Sequence, residues 1–231
     1  MNQPVSRLNV LFEDNHLLVV NKPAMLPTMG VADSEPSLLK VAKEYIRIKY
    51  AKPGNVYLGI VSRLDTPVTG VVMMARTSKA AARLSAAFRD RAVEKVYWAV
   101  VEGVPAPPQT TLEHHLRKDE RHRKVHVTHA AVPDAQLARL SYEVLKSSKG
   151  YSLLEITLET GRKHQIRVQL SKHGHPIMGD RKYGSGIAFA RGIALHARRL
   201  VVEHPVLRER MEFVAPVPPA WRSNPRLAGL L

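Results

Sequence analysis

Short β-patterned runs dominate this sequence, and the few helix-patterned segments among them do not alternate with them in any regular way. Regular strand–helix alternation would build a doubly wound parallel sheet. Its absence points instead to an α+β fold with a largely antiparallel or mixed central sheet flanked by helices. Period-two or continuous apolar patterning predicts strands over residues 9–12, 16–20, 57–61, 70–75, 93–101, 140–146, 151–160, 193–202 and 211–214. Helical spacing predicts helices over 37–50, over 78–91 behind an N-capping Thr77, and over 163–173, stopping at Gly174. No repeat and no Pro/Gly/Ser linker divides the chain, so a single domain over residues 1–231 is expected.

The chain has 231 residues, of which 45% are hydrophobic and 24% charged, a globular composition that excludes wholesale disorder. It contains no cysteine, which removes disulfide scaffolds, cysteine-ligated metal centres and thiolate nucleophiles. The apolar runs at 17–20 and 71–75 are far too short to span a bilayer, and residues 1–10 carry no secretory pattern. A cytoplasmic protein without membrane attachment is expected. The 35 Lys and Arg oppose 20 Asp and Glu, and 35 − 20 gives +15. That excess points to a polyanionic partner, most simply nucleic acid, with a merely basic soluble protein as the alternative.

Three segments bear on chemistry. The stretch EHHLRKDERHRKVH, 113–126, is rich in His but lacks a metal-ligand spacing, and its Lys and Arg would repel a cation. It reads as an RNA-facing basic loop or a solvated charged face, and no metal is expected. The segment VSRLDTPVTG, 61–70, offers one carboxylate, Asp65, beside Arg63 and among apolar Val61, Leu64 and Val68. Such an acid serves a turn or a reaction. The segment TGRKHQIRVQLSKHGHPIMGDRKYG, 160–184, concentrates Arg162, Lys163, His164, Gln165 and Arg167 at a helix start, followed by a turn with Asp180 and Tyr183. A cationic helix start suits phosphate, and a basic surface helix is the alternative.

Together these segments resemble the RluA-type RNA pseudouridine synthases. The carriers are YLGIVSRLDTPVTGVVMMARTSKAAARLSAAFRDRAVEKVYWAVVEG, the 160–184 segment, the opening LFEDNHLLVVNKPAMLP and the late ALHARRLVVEHP, so the resemblance covers about residues 8–215. It implies that a uridine's base is cut from its ribose at N1, rotated and rejoined through C5, without cofactor or metal. Glycosidic cleavage usually recruits two carboxylates. Here the leaving uracil is a stabilised anion that stays in the site, so one carboxylate can suffice.

The resemblance assigns that role to Asp65, as nucleophile at the anomeric carbon or as base toward a glycal. It gives Asp65 a partner in Arg167, whose charge would hold the carboxylate ionised and oriented. It assigns Tyr97 to stacking on the extruded base and Arg63 to the space beside the flipped nucleotide. Trp98, on the opposite strand face, is expected in the core. Arg162, Lys163, His164 and Gln165, with Arg117, Lys118, Arg121, Arg123 and Lys124, are expected to contact RNA in a basic cleft. The sequence departs from the family pattern at Ser62, at Val68-Thr69-Gly70 and at Gln169, which bears on substrate choice. No separate RNA-binding appendage is expected before the catalytic domain. The expected partner is ribosomal or transfer RNA, bound by a monomer. A non-catalytic RNA-binding or chaperone protein with the same fold, and a metal-dependent nuclease, are the competing readings.

Overall fold

A computed structural model describes residues 8–231, which gather into two compact units. The first comprises the chain up to Val93 together with Ala197–Pro216, the second Glu94–His196 with Val217–Leu231.

In the first unit, β1 (Val10–Glu13), β2 (Leu17–Lys22), β3 (Gly59–Ile60) and β4 (Thr69–Ala75) pair antiparallel, joined by β10 (Leu195–Glu203) beyond Ala197 and by β11 (Arg210–Val214). The continuous apolar runs in β2 and β4 follow from both sheet faces being covered. Leu17, Val19, Val71 and Met73 face one core with Ala80 and Leu84 of α2 (Ser78–Arg89). Leu18, Val20, Val72 and Met74 face another with Leu38, Ala42 and Ile46 of α1 (Leu38–Lys49). Ser37 caps α1 by accepting from the Lys40 amide, and Thr77 caps α2 by accepting from that of Ala80, each satisfying an otherwise orphaned helix donor. Gly70, at φ +115°, lets β4 approach the neighbouring strand: a Cβ there would lie 2.2 Å from the Ala197 carbonyl oxygen.

In the second unit, β5 (Glu94–Glu102), β6 (Gln109–Asp119), β7 (Lys124–Thr128), β8 (Gln136–Ser148) and β9 (Tyr151–Leu158) lie in the order β5-β9-β8-β6-β7, every neighbouring pair antiparallel. Lys149 and Gly150, at φ +53° and +79°, join β8 to β9 by the left-handed two-residue turn that suits strand twist. Helix α3 (Gln165–Lys172) buries Ile166, Val168 and Leu170, and Val168 packs with Leu116, Val125, Ala138 and Tyr183. A short α4 (Pro219–Arg222) carries Trp221, 1% exposed, against the rings of Phe189 and His196.

The α+β class and most elements match the pattern, with four differences. Residues 113–126 form most of a β6–β7 hairpin where a basic loop is expected. The strand expected over 57–61 shrinks to the two residues of β3. Helix α3 begins at Gln165 because His164 takes a left-handed φ of +55°. Trp98 is only half-buried, its indole Nε1 donating to Glu155 Oε2 at 3.0 Å across the β5–β9 pair, so it is not a core residue. The indole N–H needs an acceptor, and a charged one holds it at the sheet surface.

Candidate active site

In the first unit, Asp65 lies on the loop between β3 and β4, and that loop is tied at nearly every residue. Ser62 Oγ accepts from the Met73 amide at 2.9 Å and faces its carbonyl at 3.4 Å, prolonging by side chain the ladder that β3 starts. Val61 and Leu64 pack into opposite cores of the unit, one toward each face of the sheet. Thr28 Oγ1 donates to the Leu64 carbonyl at 2.8 Å and accepts from its amide at 3.2 Å. Past the carboxylate, the Thr66 carbonyl accepts from the Met25 amide at 2.8 Å, and the Val68 amide closes a turn onto the Asp65 carbonyl at 3.0 Å. The side chain of Asp65 is half-buried, while Arg63 is exposed and makes no ion pair among the described residues.

Lys22 underlies this loop at 0% exposure. Its Nζ donates to the carbonyls of Leu26 at 2.7 Å, Pro23 at 3.0 Å and Thr66 at 3.2 Å. Burial lowers its pKa to about 7, and the negative charge of Asp65 opposes the fall. Three acceptors match the three protons of an ammonium, so the geometry favours the charged form. The arrangement supplies a carboxylate on a fixed backbone above a buried cation. Sequence reasoning passed over Lys22 and Thr28. The signal for Lys22 was the NKPAMLP stretch, within the opening segment of the resemblance, and Thr28 follows directly after it.

In the second unit, Tyr97 lies half-buried on β5 opposite Ile156. Arg167, on α3 and 5% exposed, makes a fork-to-fork pair with Asp180: Nε to Oδ2 at 2.6 Å and Nη2 to Oδ1 at 2.8 Å. Its guanidinium also lies 5.0 Å from the Tyr183 ring centre, and Lys124 Nζ lies 5.9 Å from the same ring. The Tyr183 hydroxyl accepts from the Val125 amide at 2.9 Å and shares a 2.7 Å hydrogen bond with His164 Nδ1.

Gln165 is turned inward at 3% exposure. Its Oε1 accepts from Thr160 Oγ1 and the Arg162 amide, and its Nε2 donates to the Arg139 carbonyl, so it braces the turn before α3. Gln169, at 0% exposure, donates to the carbonyls of Leu112 and Ala138 and reaches His114 Nδ1 at 3.1 Å. The exposed Arg162 and Lys163 line a concavity of about 810 Å³ with Arg117, Lys118 and Arg121 of the β6–β7 hairpin. Asp119, Glu120 and Asp134 share its walls. Arg123 is exposed at the hairpin turn, where its carbonyl accepts from Lys182 Nζ. His122 Nδ1 meets Asp119 Oδ2 at 2.7 Å and His126 Nε2 meets it at 3.7 Å. The His122 amide and ring hold the Asp119 pKa below its ordinary value. Among the described residues no three such side chains converge as metal ligands.

The family model described as "RNA pseudouridylate synthase" matches residues 16–172. The chain is 34% identical over 230 residues to a ribosomal large subunit pseudouridine synthase D of Zymomonas mobilis, covering 91% of this chain and 69% of the relative. It is 33% identical over 216 residues to the uncharacterized RNA pseudouridine synthase YhcT of Bacillus subtilis, with the same coverage of 91% and 69%. Among solved structures, human RNA pseudouridylate synthase domain containing 4 superposes with a TM-score of 0.78 at 28% identity, covering 95% of this chain and 93% of that one.

Proposed function

Because the chain belongs to the RNA pseudouridylate synthase family, and is by that membership an RNA-modifying isomerase, we propose that Asp65 carries its reaction on uridines of ribosomal or transfer RNA. The observation that supports this most directly is the Asp65 loop itself. Its backbone is tied on both sides of the carboxylate and underlain by a buried lysine, so the acid is presented in one position. Preorganisation of that kind lowers the reorganisation needed at the transition state.

In the proposed reaction the N1–C1′ bond breaks, the uracil rotates, and C5 bonds to C1′. The C5 proton is lost and N1 gains one, so the product is an isomer of the substrate. Asp65 attacks C1′ or removes a sugar proton. Tyr97 stacks on the extruded base, and Arg167, oriented by Asp180, supplies positive charge to the reacting group. Arg63, Arg162, Lys163, His164 and the hairpin residues Arg117, Lys118, Arg121, Arg123 and Lys124 take RNA phosphate. The reading includes a single catalytic domain, acting as a monomer in the cytoplasm. No helix among the described residues is long and apolar enough to cross a membrane. Relatives named for the large ribosomal subunit favour ribosomal RNA as the substrate class.

The test is tritium release from RNA labelled at uridine C5. Wild-type protein releases tritium, while Asp65→Asn binds the same RNA and releases none. Turnover retained by a clean Asp65→Ala preparation would remove Asp65 from the mechanism. Binding without any release by the wild type would favour a non-catalytic RNA-binding protein.

A further inference from the structure

Between β2 and α1 the chain runs from Pro23 to Met29 alongside the Asp65 loop, bonded to it through Met25 and Thr28. Ala24 and Thr28 face inward at 8% and 4% exposure, while Met25 and Met29 face outward at 55% and 42%. Met25 also holds φ at +62°, the left-handed region that glycine enters freely and a side chain enters at a cost. Two unfavourable features therefore coincide at one residue: backbone strain and a solvated apolar side chain. The main-chain bond from the Met25 amide to the Thr66 carbonyl explains the turn, and a glycine would make it equally well. At 55% exposure the residue leaves more than half of its surface outside the packing of the fold. Strain kept where packing returns only part of the side chain's surface, beside a candidate site, points to a contact made to something else.

We propose that Met25, seconded by Met29, is an RNA-contact residue that packs against an unstacked nucleobase beside the target uridine. The assignment rests on the reading of the Asp65 loop given above and adds to it the identity of an apolar contact. Three observations favour a nucleobase as occupant. Met25 bonds to the residue next to Asp65, Arg63 of the same loop is exposed and offers phosphate a cation, and the protein as a whole carries +15. Methionine suits the task because its flexible, polarizable chain adapts to any base face without a fixed hydrogen-bond pattern. Such a contact adds affinity while leaving sequence to be read elsewhere.

The test measures dissociation constants for a short, end-labelled, uridine-rich single-stranded oligoribonucleotide across a salt series, with thermal denaturation of each variant. Met25→Gly removes the side chain and relieves the backbone. Its Tm should equal or exceed that of the wild type, while affinity falls about tenfold, the scale of one lost apolar contact. The slope of log Kd against log salt should not change, because no charge is removed. Met25→Leu should retain most of the affinity. A Met25→Gly protein that binds as tightly as the wild type overturns the proposal, and so does a loss of affinity that appears only with a lower Tm. Tritium release by the wild type reports separately on the catalytic reading. If the affinity differences hold and no tritium is released, the contact stands and the catalysis does not. If the wild type fails to bind RNA, both fall.

Discussion

At Lys22 a charge-bearing side chain lies out of contact with water, held by the carbonyls of Pro23, Leu26 and Thr66. Nothing in composition foretells that, since lysine is rarely fully buried and main-chain acceptors leave no mark in the sequence. Asp65 was legible, because a lone carboxylate in an ordered set of motifs stands out. The residues that fix it were not, because they act through backbone. Arg167 was legible for its type and position, whereas its pairing with Asp180 spans 13 positions and needed the fold. That pair carries a prediction at the same scale. Asp180→Asn removes the carboxylate that a guanidinium at 5% exposure holds fork to fork, which should cost about 3 kcal/mol of stability. Urea unfolding measures it, and a loss below about 1 kcal/mol would show that Asp180 is not the main counterion. Activity should fall with it, through the orientation of Arg167.

Among the elements, α1 and α2 were readable from the helical spacing of their buried residues, and β2, β4, β5 and β9 from short, strongly apolar runs. The β6–β7 hairpin was not. Its inward Leu112, Leu116 and Val125 alternate with a charged outer face dense enough to hide the period. Helix α3 was misread at its start because His164 takes a left-handed turn that sequence does not encode strongly. Around α3 two histidines make stability depend on pH. Burial, then the charges of His173 and Lys172, lowers the pKa of His114, and burial, then His175, lowers that of His173. Each therefore binds its proton more weakly in the folded state than in the unfolded chain, whose value is 6.5. Their contribution is complete above pH 6.5 and is lost as pH falls from there through the folded values. Urea midpoints compared at about pH 7.5 and about pH 5.5 should drop less in His114→Gln/His173→Gln than in the wild type. An equal drop in both proteins would place the acid sensitivity elsewhere.

Over the whole molecule the excess of +15 sets how RNA is held more than which RNA is chosen. Arg117, Lys118, Arg121, Arg162 and Lys163 converge on one concavity, which gives part of that charge a definite address. RNA affinity should fall steeply with salt, and Arg117→Ala/Lys118→Ala should lower the slope of log K against log salt by about one to two. Affinity measured across a salt series decides this. An unchanged slope would mean that the hairpin stays clear of phosphate. The first unit, finally, is not continuous in sequence. It needs the chain up to Val93 and then Ala197–Pro216, which brings Leu200, Val202, Phe213 and Ala215 to the core shared with β2, β4 and α2. On the ribosome, a nascent chain that has passed Val93 holds the Asp65 loop but lacks the strands that close its core. The Asp65 carboxylate is thus translated early and seated late, after the intervening residues have emerged. A ribosome stalled before β10 would display the whole SRLD segment on a unit still missing part of its core.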